Sequence, residues 1–169
     1  MKRQQSATIP PLPKVRADVT LAGKWTEKED GRRVLMPITD NDTLVFANDD
    51  NLRHLSPAGT IFLDGTFKSC PPQYAQLYSI HGLLDGHVVP LVYVLLANKT
   101  RTMYFNMFTV IRNAMSKLGL VLNPDNIVGD FELSFIDVVK QHFTRSRHIG
   151  CFFITVNRCG VGFRNWVCR

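Results

Sequence analysis

The chain has 169 residues, of which 45% are hydrophobic and 20% are charged, with a formal net charge of +6. This length favours one domain, and the composition is that of a folded globular core, which excludes a wholly disordered chain. The longest apolar run, residues 88–97, includes a proline and is too short to cross a bilayer, so we expect no membrane partner. Four cysteines without zinc spacing, and no signal peptide, predict an intracellular protein, nuclear or cytoplasmic, with reduced thiols.

Positive charge is concentrated in the last part of the chain. From residue 144 onward the sequence has five arginines and no acidic residue. Because arginine contacts phosphate, this end favours a polyanionic partner such as DNA, although a merely solvated tail explains the charge equally well. The candidate nucleic-acid-binding residues are Arg145, Arg147, Arg158 and Arg164.

The first third of the chain is divided into two segments. Residues 1–20 have three prolines in four positions and predict a disordered, proline-rich lead-in. Residues 21–56 alternate short apolar runs with charged, turn-rich stretches, which predicts a small antiparallel β extension leaning on the main domain. Within it, residues 48–51 form a turn or a helix cap.

Residues 57–154 have the pattern of an α/β domain. Three strands, joined in part by the hairpin signal Asp85-Gly86, are expected to be antiparallel neighbours, and helix, strand, helix and strand follow. Met and aromatic residues at helical spacing over residues 102–118 indicate core packing rather than a cofactor site. The predicted elements are strands Thr60–Leu63, Tyr74–His81 and Val88–Leu96, helix Thr102–Leu118, strand 126–129, helix Glu132–Phe143 and strand His148–Ile154.

Two apolar strands end on an aspartate beside a glycine, at Asp64-Gly65 and at Gly129-Asp130. Asp64 alone is more typical of a turn, and Gly65 allows the backbone to turn or a ligand to come close. In a mixed sheet, however, the first and fourth strands can lie side by side and bring the two carboxylates together. Two such oxygen donors would hold Mg²⁺, which keeps several waters and accepts phosphate oxygens as further ligands. This arrangement suits phosphodiester chemistry.

An ordered series of motifs resembles the Mutator-like element (MULE) transposase domain. The series covers most of residues 8–153, and its spacing makes it more specific than any single Asp-Gly pair. It includes Ile61-Phe62-Leu63-Asp64-Gly65-Thr66-Phe67-Lys68, Gln76-Leu77-Tyr78-Ser79-Ile80-His81-Gly82, Val89-Pro90-Leu91-Val92-Tyr93, Tyr104 to Phe108, Asp130-Phe131-Glu132 and Ile149-Gly150-Cys151.

The resemblance implies a ribonuclease H-like fold and an Asp-Asp-Glu site that uses Mg²⁺ for DNA strand cleavage and transfer. Asp64 matches the first catalytic, metal-binding aspartate of the family, and Asp130 matches the second. Glu132 matches the start of the following helix rather than the third acid, so we interpret it as structural.

The sequence departs from the family in two places. Ile154 stands where the family has a histidine, so Cys151 lacks its expected partner, and residues 155–169 form a divergent basic tail. The chain ends before the helix that carries the third acid in the family. We therefore expect a transposase fragment that is catalytically incomplete, with DNA, a full-length transposase or a second copy of itself as partners.

Two alternatives stay open at this point. One is a non-catalytic module, derived from a transposase, that binds DNA or protein through its basic tail. The other is an unrelated doubly wound α/β enzyme, although no glycine-rich phosphate loop stands between a strand and a helix. His81 and His87 flank a hairpin and are interpreted as a strand-end and a turn residue rather than metal ligands.

Overall fold

The computed structural model describes residues 13–21, 26–27, 30–36, 41–66 and 69–150. The predictions for residues 1–12, for residues 151–154 of the last strand and for the tail 155–169, including Arg158 and Arg164, lie outside these ranges. After a 3-10 helix at Arg16–Asp18, the elements are β1 (Thr43–Phe46), α1 (Asp49–Leu55), β2 (Thr60–Thr66), β3 (Gln76–Leu84), β4 (His87–Leu96), α2 (Arg101–Lys117), β5 (Asn126–Gly129), α3 (Leu133–His142) and β6 (Arg147–Gly150).

The six strands form one mixed sheet in the order β1-β4-β3-β2-β5-β6. β2, β3 and β4 are antiparallel neighbours, whereas β5 runs parallel to β2 and β6 runs parallel to β5. The predicted α/β class with a ribonuclease H-like mixed sheet is confirmed. The order places β2, the strand that carries Asp64, in the middle of the sheet and directly beside β5.

The hairpin between β3 and β4 turns at the predicted Asp85-Gly86 pair, and the turn has only these two residues. Asp85 and Gly86 have φ values of 49° and 81°, so both lie in the left-handed region that such turns require. The pairing of β3 with β4 then runs to Gln76 and Leu96, with one register shift between Ile80 and His81. His81 therefore lies inside β3, and the prediction that it ends a strand is wrong because β3 continues to Leu84.

One hydrophobic core joins the helices to the sheet. α2 buries its predicted apolar stripe, with Tyr104 and Phe108 among the largest fully buried side chains, and Gly119 ends the helix with φ 69° as predicted. α3 buries Phe135 and Val139 against the same core. Of the helices in the ranges given above, none is long and apolar enough to cross a membrane.

Residues before β2 belong to the same sheet and core. β1 pairs with β4, and the helix α1, which begins after the N-cap Asn48, buries Leu52 and Leu55 in the main core. The segment predicted as a β-rich extension thus supplies both a strand and a helix. In the predicted disordered lead-in, Arg16 forms an ion pair with Asp42 at 2.6 Å, so part of that segment contacts the fold. The domain boundary after residue 56 stays a prediction.

Candidate functional site

Asp64 and Asp130 lie on one cleft where β2 and β5 run side by side. The parallel register pairs Phe62 with Val128, and each aspartate follows two residues later on its strand. The predicted adjacency of the two strands is confirmed. Both aspartates line the same cleft of about 80 Å³. Asp64 is not at the end of its strand as predicted, because β2 stays paired with β3 as far as Thr66.

The two glycines beside the acids allow close packing rather than turns. A Cβ atom at Gly65 would lie 1.7 Å from Nε2 of Gln76, so the Gln76 amide fills the space that we had predicted for a turn or a ligand. A Cβ at Gly129 would lie 2.9 Å from the ring of Phe135, which packs directly onto β5. The glycine on each strand therefore makes room for a side chain of the cleft wall.

Glu132 also lines the cleft, next to the two aspartates. It is the N-cap residue of α3, and its carboxylate accepts a hydrogen bond from the Tyr104 hydroxyl at 3.1 Å rather than capping the helix. We had interpreted Glu132 as a residue of the first helical turn with a structural role only. The structure places its carboxylate in the cleft, which the sequence pattern did not indicate.

The sequence analysis missed the polar and aromatic wall of the cleft. Gln76, Tyr78 and Tyr104 are buried and line it, and Tyr104 had been assigned to core packing alone. One signal was available, because Gln76 shares the inward face of β3 with Tyr78 and Ile80. A glutamine at a core-facing strand position is unusual, and it indicates a buried polar partner.

The cleft is strongly negative. In the described ranges, Asp64, Asp130 and Glu132 form no ion pair, since the salt bridges there join arginines and aspartates between residues 16 and 50. Burial raises the pKa of the Tyr78 hydroxyl well above its usual value, and the nearby charges of the three acids raise it further. Burial and Glu132 likewise raise the pKa of Tyr104. Both hydroxyls therefore stay protonated, and that of Tyr104 donates to Glu132.

The second aspartate is held by local contacts. The Phe131 backbone N–H donates to Asp130 Oδ1 at 2.6 Å, which fixes one oxygen of that carboxylate beside its own backbone. Burial lowers the pKa of His148 on β6, while a hydrogen bond to the Asp130 backbone raises it in part. The loop after β5 is thus held by its own backbone and by β6.

The carboxylates of Asp64 and Asp130 are the groups of the cleft that could hold a divalent metal ion. Asp64 and Asp130 offer hard oxygen donors, and no cation among the described residues pairs with either of them. Mg²⁺ needs few protein ligands because it retains water. No group of three or more His, Cys, Asp or Glu side chains comes close enough to share an ion in the part of the chain that the structure describes. Glu132 therefore lines the cleft but does not form a three-carboxylate cluster with the two aspartates.

The two described arginine candidates lie away from the acids. Arg145 and Arg147 are exposed, and Arg147 pairs with Asn126 at the first residues of β6 and β5. Asp64 and Asp130 stand at the other end of the parallel pairing. These arginines therefore form a surface separate from the cleft. His87, predicted in a turn, is the exposed first residue of β4.

Comparisons with known proteins give one family match and distant structural similarity. The family model of the MULE transposase domain matches residues 60–158. A chain in the cryo-EM structure of a simian T-cell lymphotropic virus intasome with PP2A regulatory subunit B56 gamma is 16% identical, with a TM-score of 0.36. That similarity covers 57% of this chain and 33% of the other, so the chain spans about a third of its length. No protein of curated function matches.

Proposed function

Because this chain belongs to the MULE transposase domain family, we propose that its cleft is a magnesium-dependent DNA-processing site of the transposase type, with Asp64 and Asp130 as metal ligands. One observation carries the proposal: the two aspartates line one cleft at neighbouring parallel strands, inside the segment that matches the family. Among the described residues no ion pair reaches either aspartate, which supports cation binding there, since a bound ion would compensate the charge.

The residues of the cleft have separable roles in this proposal. A bound Mg²⁺ would polarise a phosphodiester and promote attack by water or a hydroxyl. Asp64, fixed by the β2–β3 ladder, and Asp130, held by the Phe131 amide, would define where the ion sits. Tyr104 donates a hydrogen bond to Glu132 from the wall, and Tyr78 and Tyr104 exclude bulk water because both side chains are almost fully buried.

We expect binding of metal and DNA to exceed turnover. The family resemblance implies three acids, whereas the described residues bring no three together on one ion. The loss of one member of a catalytic unit costs about 10⁴ in rate. Association with a full-length transposase or with a second copy of the chain is the context in which we expect strand transfer.

Nicking of supercoiled plasmid tests the proposal. The chain is incubated with plasmid and Mg²⁺, alone and with Asp64→Asn or Asp130→Asn, and Mn²⁺ binding is measured in parallel by the loss of the free-ion EPR signal. We expect Mn²⁺ binding that each substitution abolishes, with nicking that is slow or absent. Robust nicking that Asp64→Asn eliminates would show a complete catalytic site, and a wild-type chain that binds no Mn²⁺ would contradict the proposal.

A second function is favoured by the position of Arg145 and Arg147. Both are exposed at the end of the sheet away from the acids, so DNA could bind there without the metal site. Each lost phosphate contact should reduce the slope of log affinity against log salt by about 0.9. We expect Arg145→Ala with Arg147→Ala to weaken DNA binding and flatten this slope, while Asp64→Asn changes neither. Affinity that is independent of salt in the wild type excludes this function.

A further inference from the structure

A chain of buried polar side chains leads from the middle of the sheet to Glu132. Tyr104 Oη lies 3.1 Å from Glu132 Oε2 and 3.3 Å from Gln76 Oε1. Tyr104 is 1% exposed and Gln76 is 4% exposed, so neither can exchange these partners for water. Tyr104 lies on α2 and Gln76 on β3, and Glu132 is the N-cap residue of α3.

The Tyr104 hydroxyl donates its proton in the hydrogen bond to Glu132. A hydroxyl has one proton to donate, and an ionised carboxylate can only accept. With the side-chain amide of Gln76 flipped by about 180°, its N–H group donates a hydrogen bond to the Tyr104 oxygen and extends the series of polar contacts. The absence of a side chain at Gly65 leaves the space in which that amide lies.

The position of Tyr104 is itself rigid. Its ring packs edge-on against Phe135 with centroids 5.7 Å apart and lies 5.8 Å from the ring of Tyr78. Both of these rings are buried in the same core. The hydroxyl therefore points to one fixed place in the cleft wall, and a carboxylate bonded to it is confined to the cleft beside Asp64 and Asp130.

We propose that Tyr104 is a positioning residue, which holds Glu132 as an outer carboxylate of the metal site. Only Oε2 of Glu132 is bonded to Tyr104, which leaves the other oxygen to accept hydrogen bonds from water in the cleft. Mg²⁺ retains much of its water, so a carboxylate that is not a direct ligand still orients the coordination sphere. This inference rests on the proposed metal site of Asp64 and Asp130.

Mn²⁺ binding to the complete chain tests this role without requiring activity. Outer residues of this kind change metal affinity by about 10- to 100-fold. We expect Tyr104→Phe to weaken Mn²⁺ binding about tenfold and Glu132→Gln to weaken it at least as much. In the double variant the effect of Tyr104→Phe should disappear, since it acts through Glu132. The matched control is Tyr74→Phe, because the Tyr74 hydroxyl is also buried but has no hydrogen-bond partner in the described part of the chain.

The outcomes separate this inference from the proposed function. The role of Tyr104 would be overturned if Tyr104→Phe bound Mn²⁺ as tightly as the wild type, or if it lost the same factor in affinity with and without Glu132. The metal site itself would still stand if Asp64→Asn lost Mn²⁺ binding. No binding by the wild type would overturn both. If near-UV circular dichroism shows that Tyr104→Phe is misfolded, the Mn²⁺ affinity of Glu132→Asp is the test instead. This variant keeps the carboxylate charge, but its side chain is shorter. Affinity equal to that of the wild type in Glu132→Asp would then overturn the inference.

Discussion

The two walls of the cleft hold their acids by different means. On one wall, Asp64 lies within β2 and is fixed by backbone pairing to Ser79 of β3. On the other wall, Asp130 follows the last paired residue of the short strand β5. Its position depends on side chains, through Phe135 against Gly129 and through the ring of His148. The position of Asp64 is therefore set by the sheet, and the position of Asp130 depends on how α3 packs.

This difference predicts which distant substitutions alter the positions of the two aspartates. Backbone hydrogen bonds of a central strand do not depend on which side chains it carries, whereas a loop held by packed rings moves when the rings are altered. Substitutions in the core under α3 should therefore disturb Asp130 and leave Asp64 in place. The three predictions that follow test this asymmetry.

The largest effect is expected from Phe135→Ala. Phe135 is 1% exposed and contacts Tyr78, Tyr104 and Phe108, so its removal leaves a cavity between α3 and the sheet. We expect the free energy of unfolding to fall by about 3–5 kcal/mol. Urea denaturation followed by circular dichroism measures this fall. The control is Phe131→Ala, four residues earlier and 56% exposed, which should cost about 1 kcal/mol or less. Equal losses in the two variants would contradict the asymmetry.

The glycines should differ by a smaller amount. Gly129→Ala drives a methyl group into the Phe135 ring, which its aromatic neighbours hold in place, and should cost about 1–3 kcal/mol. Gly65→Ala meets the amide end of Gln76, a more flexible side chain, and should cost less. If that amide is the obstacle, the loss in Gly65→Ala will be smaller when Gln76→Ala is also present. The same urea denaturation measures all four variants, and a Gly65 effect that is independent of Gln76 would refute the explanation.

The smallest effect is a dependence of stability on pH. Burial lowers the pKa of His81, and it lowers the pKa values of His142 on α3 and His148 on β6 in the same way. The unfolded chain, with histidines near 6.5, then binds more protons than the folded chain, so the free energy of unfolding rises with pH in this window. Stability is complete above about pH 6.5 and is lost as the pH falls through the lowered values.

The wall that contains Asp130 should contribute to this dependence through His148. His148→Asn removes the titrating ring, while its amide keeps a donor for the loop. We expect the difference in unfolding free energy between about pH 7.5 and about pH 5 to shrink in this variant. Urea denaturation at the two pH values provides the measurement, and an unchanged difference would assign the acid sensitivity to other groups.

The order of strands and helices was predictable because it depends on local pattern. The stripe of α2 from Met103 to Met115 and the Asp85-Gly86 turn are local signals, and both are observed as predicted. The pairing of β1 with β4 was not predictable, since it joins Thr43 to Leu96 across 53 residues and no periodicity reports such a contact. β1 and α1 were therefore assigned to an extension.

Of the candidate site, only the two aspartates were predictable. An aspartate after an apolar run is visible in the sequence, and the family motifs identify Asp64 and Asp130. Glu132 and Tyr104 were assigned to a helix start and to core packing, because sequence position does not show that a side chain of α2 reaches the N-cap residue of α3. That contact depends on how the two helices pack together, which no local pattern contains.

The position of β1 limits how the matched family domain can be isolated. β1 covers the outer backbone edge of β4, and Met36 in turn bonds to Val45 of β1. A shortened chain that began at residue 60 would leave the edge of β4 that faces β1 unpaired over residues 93–96. Open edges of this kind recruit strands from other molecules, so such a chain is expected to self-associate into aggregates. Residues that precede the family match thus act as a protective cover for the transposase sheet.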